Sequence, residues 1–192
     1  EVIIEQVLLR VDVPPDTYQW ELTCDETVSG RVTVIPFEEA DAFIDVSTEW
    51  GDFVRLDGVI LPNGTDTWSG GVLPVVSHFT ALGLAETNYS IFLQLLDENG
   101  VLVAQADGQP AGDSLSANTW RANASLLDIR EITIPLDLSD GTYRLIIGWY
   151  DWRTGDRVLN GAGMDSLTIP VTITTRFPGG RGFPHLRVIL PS

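Results

Sequence analysis

The chain has 192 residues, of which 44% are hydrophobic and 20% are charged, a composition typical of a folded globular protein. Its formal net charge of -16 argues against binding to nucleic acid or to anionic lipid, because both require a positively charged surface. No apolar run approaches the roughly 20 residues that a membrane-spanning helix needs, so direct membrane insertion is not expected.

Strand signals dominate from one end of the chain to the other. Runs rich in Val, Ile, Thr and aromatic residues alternate with Gly, Pro, Asn and Asp, and no dozen residues keep a helical period without a break. The predicted strands are Val2–Val13, Tyr18–Thr23, Val28–Ile35, Phe53–Leu61, Leu73–Thr80, Ser90–Leu96, Leu102–Ala106, Arg130–Pro135, Thr142–Tyr150, Ser166–Thr175 and Leu186–Leu190. One short helical turn is predicted at Glu38–Phe43. This pattern predicts an all-β protein, with two antiparallel sheets packed as an Ig-like or jelly-roll-like β-sandwich and extra strands at the termini.

The predicted organisation has three parts. Residues 1–49 carry N-terminal strands that complete or dock on a sheet, residues 50–175 form the sandwich, and residues 176–192 form an extended C-terminal arm. Apolar edge strands invite pairing with a neighbouring sheet, so the first strand is a candidate assembly element. Its apolar residues are Val2, Ile3, Ile4, Val7, Leu8 and Leu9.

Two tight turns are predicted. Asn99-Gly100 is able to hold two positive φ angles between alternating apolar residues, and Thr154-Gly155 offers a glycine for the left-handed position of a short loop. Between these turns, residues 107–125 show no strand pattern. We favour a crossover between the two sheets, pinned by a buried Trp120, over a functional loop.

Alternation along Thr142–Tyr150 places Tyr143, Leu145, Ile147 and Trp149 on one face of a strand, and these side chains are large and apolar. We therefore expect Trp149 to be a core residue. The full predicted core is Phe92, Leu95, Trp120, Tyr143, Leu145, Ile147 and Trp149. Trp152 follows the strand, where exposure for a ligand and folding back over the hairpin are equally compatible with the sequence.

The segments "YSIFLQLLDENGVLVAQADGQP" and "IPLDLSDGTYRLIIGWYDWRTGDRV", with a lone tryptophan between them, resemble the C-terminal β-sandwich domain of multi-pass membrane glycosyltransferase-like proteins, largely from Chloroflexi-type bacteria. The likeness covers residues 52–175 and departs from the pattern at Trp149 and Trp152. It implies an exported module without catalytic residues. The matching positions are Phe92, Leu95, Leu96, Asp97, Gly100, Ala104, Gln105, Asp107, Gly108, Pro110, Trp120, Gly141, Tyr143, Arg144, Leu145, Gly148, Tyr150, Asp151, Thr154, Gly155 and Arg157.

The sequence predicts no enzyme. Its two histidines are His78, in an apolar strand, and His185, in a Gly/Pro-rich tail, and neither belongs to a recognisable nucleophile motif. Paired carboxylates for glycoside hydrolysis are a remote alternative. No cofactor is expected. A weak calcium alternative rests on Asp137 and Asp140 in "DLSDG", where ordinary turn chemistry is the simpler explanation.

Two functions fit the sequence. The first is a non-catalytic structural or protein-interaction module of a cell-surface or extracellular assembly, which pairs with a protein partner or with itself through the terminal strands. The alternative is a carbohydrate-binding module, in which an exposed aromatic ring stacks on a sugar. Its candidate residues are Trp152, Tyr150, Asp151 and Asp156, followed by Trp68. Candidate N-glycosylation sites, relevant only in an exported protein, are Asn63, Asn88 and Asn123.

Overall fold

The computed structural model describes residues 16–23, 27–36, 43–175 and 187–190. The chain divides into two compact units, residues 1–40 with 182–192 and residues 41–181. The first unit contains a sheet of three strands, β1 (Asp16–Thr23), β2 (Thr27–Pro36) and β12 (Arg187–Leu190), in the order β1-β2-β12. β1 runs antiparallel to β2, whereas β12 runs parallel to it. The predicted assembly strand Val2–Val13 lies outside the described residues.

The second unit is a sandwich of two sheets. Its four-stranded sheet has the order β3-β4-β6-β9, from Phe43–Trp50, Val54–Ile60, Val72–Ala81 and Ser125–Thr133. Its five-stranded sheet has the order β5-β11-β10-β7-β8, from Asp66–Trp68, Leu167–Thr174, Gly141–Asp151, Tyr89–Leu96 and Leu102–Gln105. All neighbouring strands are antiparallel except β5 and β11. The predicted all-β, two-sheet sandwich is therefore confirmed.

Most strand boundaries agree with the predicted ones within two residues, and the larger differences are at β3, β5 and β9. The predicted helical turn at Glu38–Phe43 lies outside the described residues except for Phe43, which begins β3. β3 pairs with β4 and belongs to the sandwich, so the sandwich includes residues before the predicted boundary at 50. β5 was not predicted, because three residues are too few for an alternating pattern. β9 begins at Ser125 instead of Arg130, since its first residues contain two adjacent leucines and do not alternate.

The core between the sheets forms around Trp149, whose side chain is fully buried. Its indole meets the rings of Phe53, Phe79 and Trp120 edge-on, at centroid distances of 5.5, 5.3 and 5.7 Å. All seven predicted core residues are buried, which confirms that list. Phe92, however, occupies the opposite face of the five-stranded sheet, because it pairs with Gly148 and not with an inward residue of β10.

The segment after β8 crosses from the five-stranded to the four-stranded sheet, as predicted. It includes a four-residue helix, α1 (Pro110–Asp113), and a single 3-10 turn before the buried Trp120. Arg130 holds this crossover through hydrogen bonds to the carbonyl oxygens of Ala106 (2.9 Å), Gly108 (3.2 Å) and Gln109 (2.7 Å). The same guanidinium pairs at 2.5 Å with Asp128, and both side chains are almost fully buried.

The turn between β7 and β8 is built differently from the prediction. Only Gly100 has a positive φ, of 83°, so Asn99 does not take the left-handed conformation. The carboxylate of Asp97 accepts the backbone N–H groups of Asn99 (2.9 Å) and Val101 (2.8 Å). Asp97 therefore organises a longer loop that needs one glycine instead of a two-residue turn.

Candidate binding surface at the hairpin end

The sandwich has an end at which β10 finishes, and we call it the hairpin end; it comprises residues 51–53, 82–88 and 152–166. The loops of the two sheets meet there. Trp50 of the four-stranded sheet forms a β-bridge with Asn160, and Gly161 N–H donates to the carbonyl oxygen of Glu49 at 3.3 Å. At the opposite end of the sandwich, β3 begins at Phe43 and β11 ends at Thr174, paired with Ile60 and Trp68.

The β10 hairpin is a rigid support for the side chains it carries. Gly155 has a φ of 79° and donates its N–H to the carbonyl oxygen of Asp151 at 2.7 Å. Asp151 N–H donates to the carbonyl oxygen of Asp156 at 2.9 Å, and Tyr150 forms an antiparallel bridge with Arg157. The predicted hairpin turn at Thr154-Gly155 is confirmed.

Trp152 projects from this hairpin with 57% of its surface exposed. The sequence left open whether its ring folds back over the hairpin, and this exposure favours a ring that is available to a ligand. Beside it, the Asp151 carboxylate pairs with the Arg153 guanidinium at 3.1 Å. Hydrogen bonds from Arg153 lower the pKa of Asp151, so this carboxylate is an ion-pair partner and not a proton donor near neutral pH.

Acidic groups surround an aromatic pair next to Trp152. Tyr89 pairs with Asp151 in the sheet and stacks on Phe53 at a centroid distance of 4.8 Å. Burial raises the pKa of the Tyr89 hydroxyl, and the charges of Glu86, Asp151 and Asp52 raise it further. The charge of Arg153, which pairs with Asp151, lowers this pKa, so the aromatic pair lies among charges of both signs with carboxylates in the majority.

Both ends of the sandwich carry exposed apolar side chains, and those at the opposite end are Val72, Val101, Leu102 and Leu136. Of eight large hydrophobic side chains classed as exposed among the described residues, four belong to the loops of the hairpin end: Leu84 at 70%, Trp152 at 57%, Leu159 at 57% and Met164 at 59%. Trp152 is the aromatic side chain among them, and tryptophan is enriched among the residues that dominate protein interfaces.

Below the hairpin, a polar network covers the outer face of the five-stranded sheet. Arg157 donates to Gln94 and to Asp165, both at 2.8 Å, and its guanidinium lies 4.1 Å from the centre of the Phe92 ring. Gln94 in turn donates to Asp107 at 2.8 Å. This network attaches the 152–166 segment to the sheet.

We expect Gly148→Ala to destabilise the protein by about 1–3 kcal/mol, because a methyl group there would overlap the Phe92 ring and lie 2.5 Å from the carbonyl oxygen of Asp165. The measurement is the midpoint of urea unfolding. Gly161→Ala is the matched control, since its added methyl group would meet no atom within 4 Å. Equal midpoints for the two variants would contradict the close packing of Phe92 under the 152–166 segment.

The other residues predicted for a carbohydrate-binding site do not all lie close to Trp152. Tyr150 is half-buried, with its ring 6.4 Å from the Phe92 ring, and Asp156 is exposed. Trp68 is half-buried at the far end of the sheet, beside Thr174. β10 has eleven residues, so Trp68 and Trp152 lie about 30 Å apart along the sheet and do not form one platform.

The three candidate N-glycosylation sites lie in different structural environments. Asn63 is exposed in a turn, and Asn123 is exposed with a φ of 66°. Asn88 is half-buried, and its side-chain oxygen accepts the N–H of Ala117 at 2.9 Å, so it already has a structural role.

The calcium alternative gains no support from the geometry. Asp137 and Asp140 are both exposed, and Asp140 accepts the backbone N–H of Thr175. Among the described residues, no group of three or more His, Cys, Asp or Glu side chains is arranged to hold a metal ion. Turn chemistry accounts for these aspartates.

One arrangement of polar side chains was missed by the sequence analysis. His78 was interpreted as a structural residue without a nucleophile partner, yet its Nε2 lies 2.6 Å from the hydroxyl oxygen of Ser125. Its Nδ1 lies 3.9 Å from Asp57 Oδ2. The three residues lie on three different strands, so no local motif could have identified them.

No family model and no curated protein matches the chain. Among solved structures it is similar to the C-terminal domain of wzt, at 9% identity and a TM-score of 0.46, covering 73% of this chain and 86% of that domain. It is also similar to the CARDB domain of a Pyrococcus furiosus protein in complex with di-metal ions, at 14% identity and a TM-score of 0.38, covering 67% and 100%. At these values neither likeness carries an argument about ligand, partner or activity.

A search of the described residues for a helix long and apolar enough to cross a membrane found none.

Proposed function

We propose that this protein is an interaction module of an exported, cell-surface assembly, and that its hairpin end contacts a protein partner. The observation that carries the proposal is the 57% exposure of Trp152, the aromatic side chain among the exposed large hydrophobics of the described residues, with Leu159 and Met164 exposed in the segment that follows it. Tryptophan is enriched among the residues that dominate protein interfaces, and methionine is enriched at such interfaces as well.

The rigidity of the hairpin end supports this role. Trp152 follows a strand whose neighbouring side chains Tyr143, Leu145, Ile147 and Trp149 are buried in the core, and its loop is closed by backbone hydrogen bonds. A preorganised apolar surface loses little conformational entropy when a partner binds, so more of its contact energy becomes affinity.

The exported location rests on the resemblance of residues 52–175 to the C-terminal sandwich of membrane glycosyltransferase-like proteins. We extend the proposal to that family: the chain would serve as an accessory sandwich, which works by contact and leaves the glycosyl chemistry to other domains.

We expect Trp152→Ala to weaken partner binding at least tenfold while the unfolding midpoint changes little, because the removed ring is largely exposed. The experiment places a photo-crosslinking amino acid at position 152 in source cells and identifies the crosslinked protein. Binding of that protein to the purified wild type and variant is then measured by titration.

Leu136 provides the matched control, since it is 85% exposed and lies near Gly70 at the end of the sandwich opposite Trp152. A crosslinker at position 136 and the Leu136→Ala variant should have no effect on the same partner. The same partner captured equally from both positions, or unchanged affinity of Trp152→Ala, would contradict the proposed surface.

A carbohydrate ligand is the second candidate, favoured by the exposed Trp152 ring beside the carboxylates of Asp151 and Asp156. Binding to a glycan array that is lost in Trp152→Ala, without a protein crosslinked at position 152, would decide for it. Trp68→Ala should leave such binding unchanged, because Trp68 lies at the far end of the sheet.

A further inference from the structure

A serine, a histidine and an aspartate meet on the outer face of the four-stranded sheet. The Ser125 hydroxyl oxygen lies 2.6 Å from His78 Nε2, within the distance of a strong hydrogen bond. Asp57 Oδ2 lies 3.9 Å from the other ring nitrogen, Nδ1. In the tautomer with its proton on Nδ1, the imidazole accepts the serine proton at Nε2, and the carboxylate lies beyond hydrogen-bond distance of Nδ1 but close enough for an electrostatic interaction.

Register explains why these side chains share one face. Phe79 and Ala81 of β6 point into the core, so His78 and Thr80 point outwards. Ser125 of β9 lies directly opposite Thr80, one diagonal step from His78. Asp57 sits in β4 where the pairing with β6 is shifted by a bulge, and bulges commonly re-aim a side chain.

The environment of each group suits its part in this arrangement. His78 is 6% exposed, whereas Ser125 is classed as exposed, so the base is shielded while the hydroxyl is open to an incoming molecule. Asp57 is held in place by the Thr80 hydroxyl at 2.6 Å and by Arg55 at 2.5 Å. A nucleophile, a base and an anchored carboxylate in this order have the roles of a serine hydrolase triad.

We propose that Ser125 is a nucleophile activated by His78, which acts as general base, and that it accepts acyl groups from carboxylic esters. This activity goes beyond the proposed binding role and lies on the other sheet of the sandwich. Leu127 and Ile129 continue the same outer face along β9, because they pair with His78 and Val76. An ester with an apolar acyl group therefore fits the face better than a charged one.

The proposed hydrolysis needs no cofactor, because the ester, water and the side chains of Ser125 and His78 supply every atom and proton. Ser125 Oγ attacks the ester carbonyl carbon while His78 Nε2 takes the hydroxyl proton. That proton passes to the alkoxide, which leaves as the alcohol, and the acyl group remains on Ser125. Water then attacks the acyl carbon, again with His78 as base, and releases the carboxylic acid and the free serine. Asp57 touches no reacting atom in this scheme and is a positioning residue.

The test treats the full chain with a fluorophosphonate probe and locates the modified residue by mass spectrometry; release of nitrophenol from p-nitrophenyl butyrate gives the rate. We expect modification of Ser125 and a burst of nitrophenol, both lost in Ser125→Ala. His78→Asn should slow both reactions about 100-fold or more, as for other lost general bases. Exposed Ser139, in the loop before β10, is the internal control in the same digest.

Two further measurements guard against a folding artefact. The Ser125→Cys variant should react faster with iodoacetamide when His78 is present than in the Ser125→Cys/His78→Asn variant, and circular dichroism verifies that each variant is folded. Asp57→Asn should alter the pH profile of the reaction. Asp57 on β4 and the neutral Ser125 on β9 face the imidazole, and Arg55 on β4 and Thr80 on β6 bind the same Asp57 carboxylate.

The rate of the wild type should rise with pH as the imidazole loses its proton, because only the neutral ring accepts the serine proton. No modification of Ser125, equal modification of Ser125 and Ser139, or rates that do not depend on His78 would each overturn the proposal. In those cases the hydrogen bond serves only to satisfy a buried histidine.

Discussion

Arg130→Met is expected to lower the free energy of unfolding by about 3–5 kcal/mol. The substitution leaves the Asp128 carboxylate, which is 2% exposed, without its ion-pair partner. It also removes the donor to the carbonyl oxygens of Ala106, Gly108 and Gln109. Urea unfolding followed by tryptophan fluorescence measures the loss, and five of the six tryptophans lie between residues 43 and 175.

Two control variants separate the buried charge from the loss of a long side chain. Arg144→Met removes an exposed guanidinium from β10 and should change the stability by less than about 0.5 kcal/mol. The double variant Arg130→Met/Asp128→Leu should recover part of the loss, since no unpaired charge then remains in the core. If Arg130→Met were as stable as the wild type, the crossover would be held by apolar packing alone.

Trp149→Ala is expected to cost about 3–5 kcal/mol, the range for large aromatic side chains removed from a core. Three edge-on aromatic contacts would be lost, and the two sheets would face each other across a cavity. Thermal unfolding followed by far-UV circular dichroism avoids the change in fluorescence that the substitution itself causes.

Trp149→Phe is the informative companion variant. The indole N–H of Trp149 has no hydrogen-bond partner among the described groups, so phenylalanine loses volume but no hydrogen bond. Its cost should be well below that of alanine. Equal losses of stability in the two variants would show that a phenyl ring recovers none of the packing that the indole provides.

Alternation was a reliable guide where a strand is buried on one face and long enough to show it. In β10, the inward set Tyr143, Leu145, Ile147 and Trp149 was predicted from period two alone, and all four are buried. The same alternation could not indicate that Phe92 is buried on the other face. That burial depends on Arg157 and the 152–166 segment, which return over the sheet from a distant point in the sequence.

The candidate sites divide in the same way. The exposure of Trp152 was one of two predicted alternatives, because a residue beyond the end of a strand is not constrained by the pleat. The pairing of His78 with Ser125 spans 47 residues and requires the register of β6 with β9. Residue types and local spacing contain no information about that register, so the arrangement emerges only from the fold.

The four outer strands of the sandwich have a consequence for how copies of this protein behave in solution. β5 has three residues and β8 has four, β3 is interrupted by an irregularity between Asp45 and Thr48, and β9 is flanked by α1. Edge strands that are short, bulged or covered offer few free backbone N–H and C=O groups to which another strand could be added. We therefore expect the sandwich to resist fibril formation at high concentration and to recognise its partners through side chains instead of through an added strand.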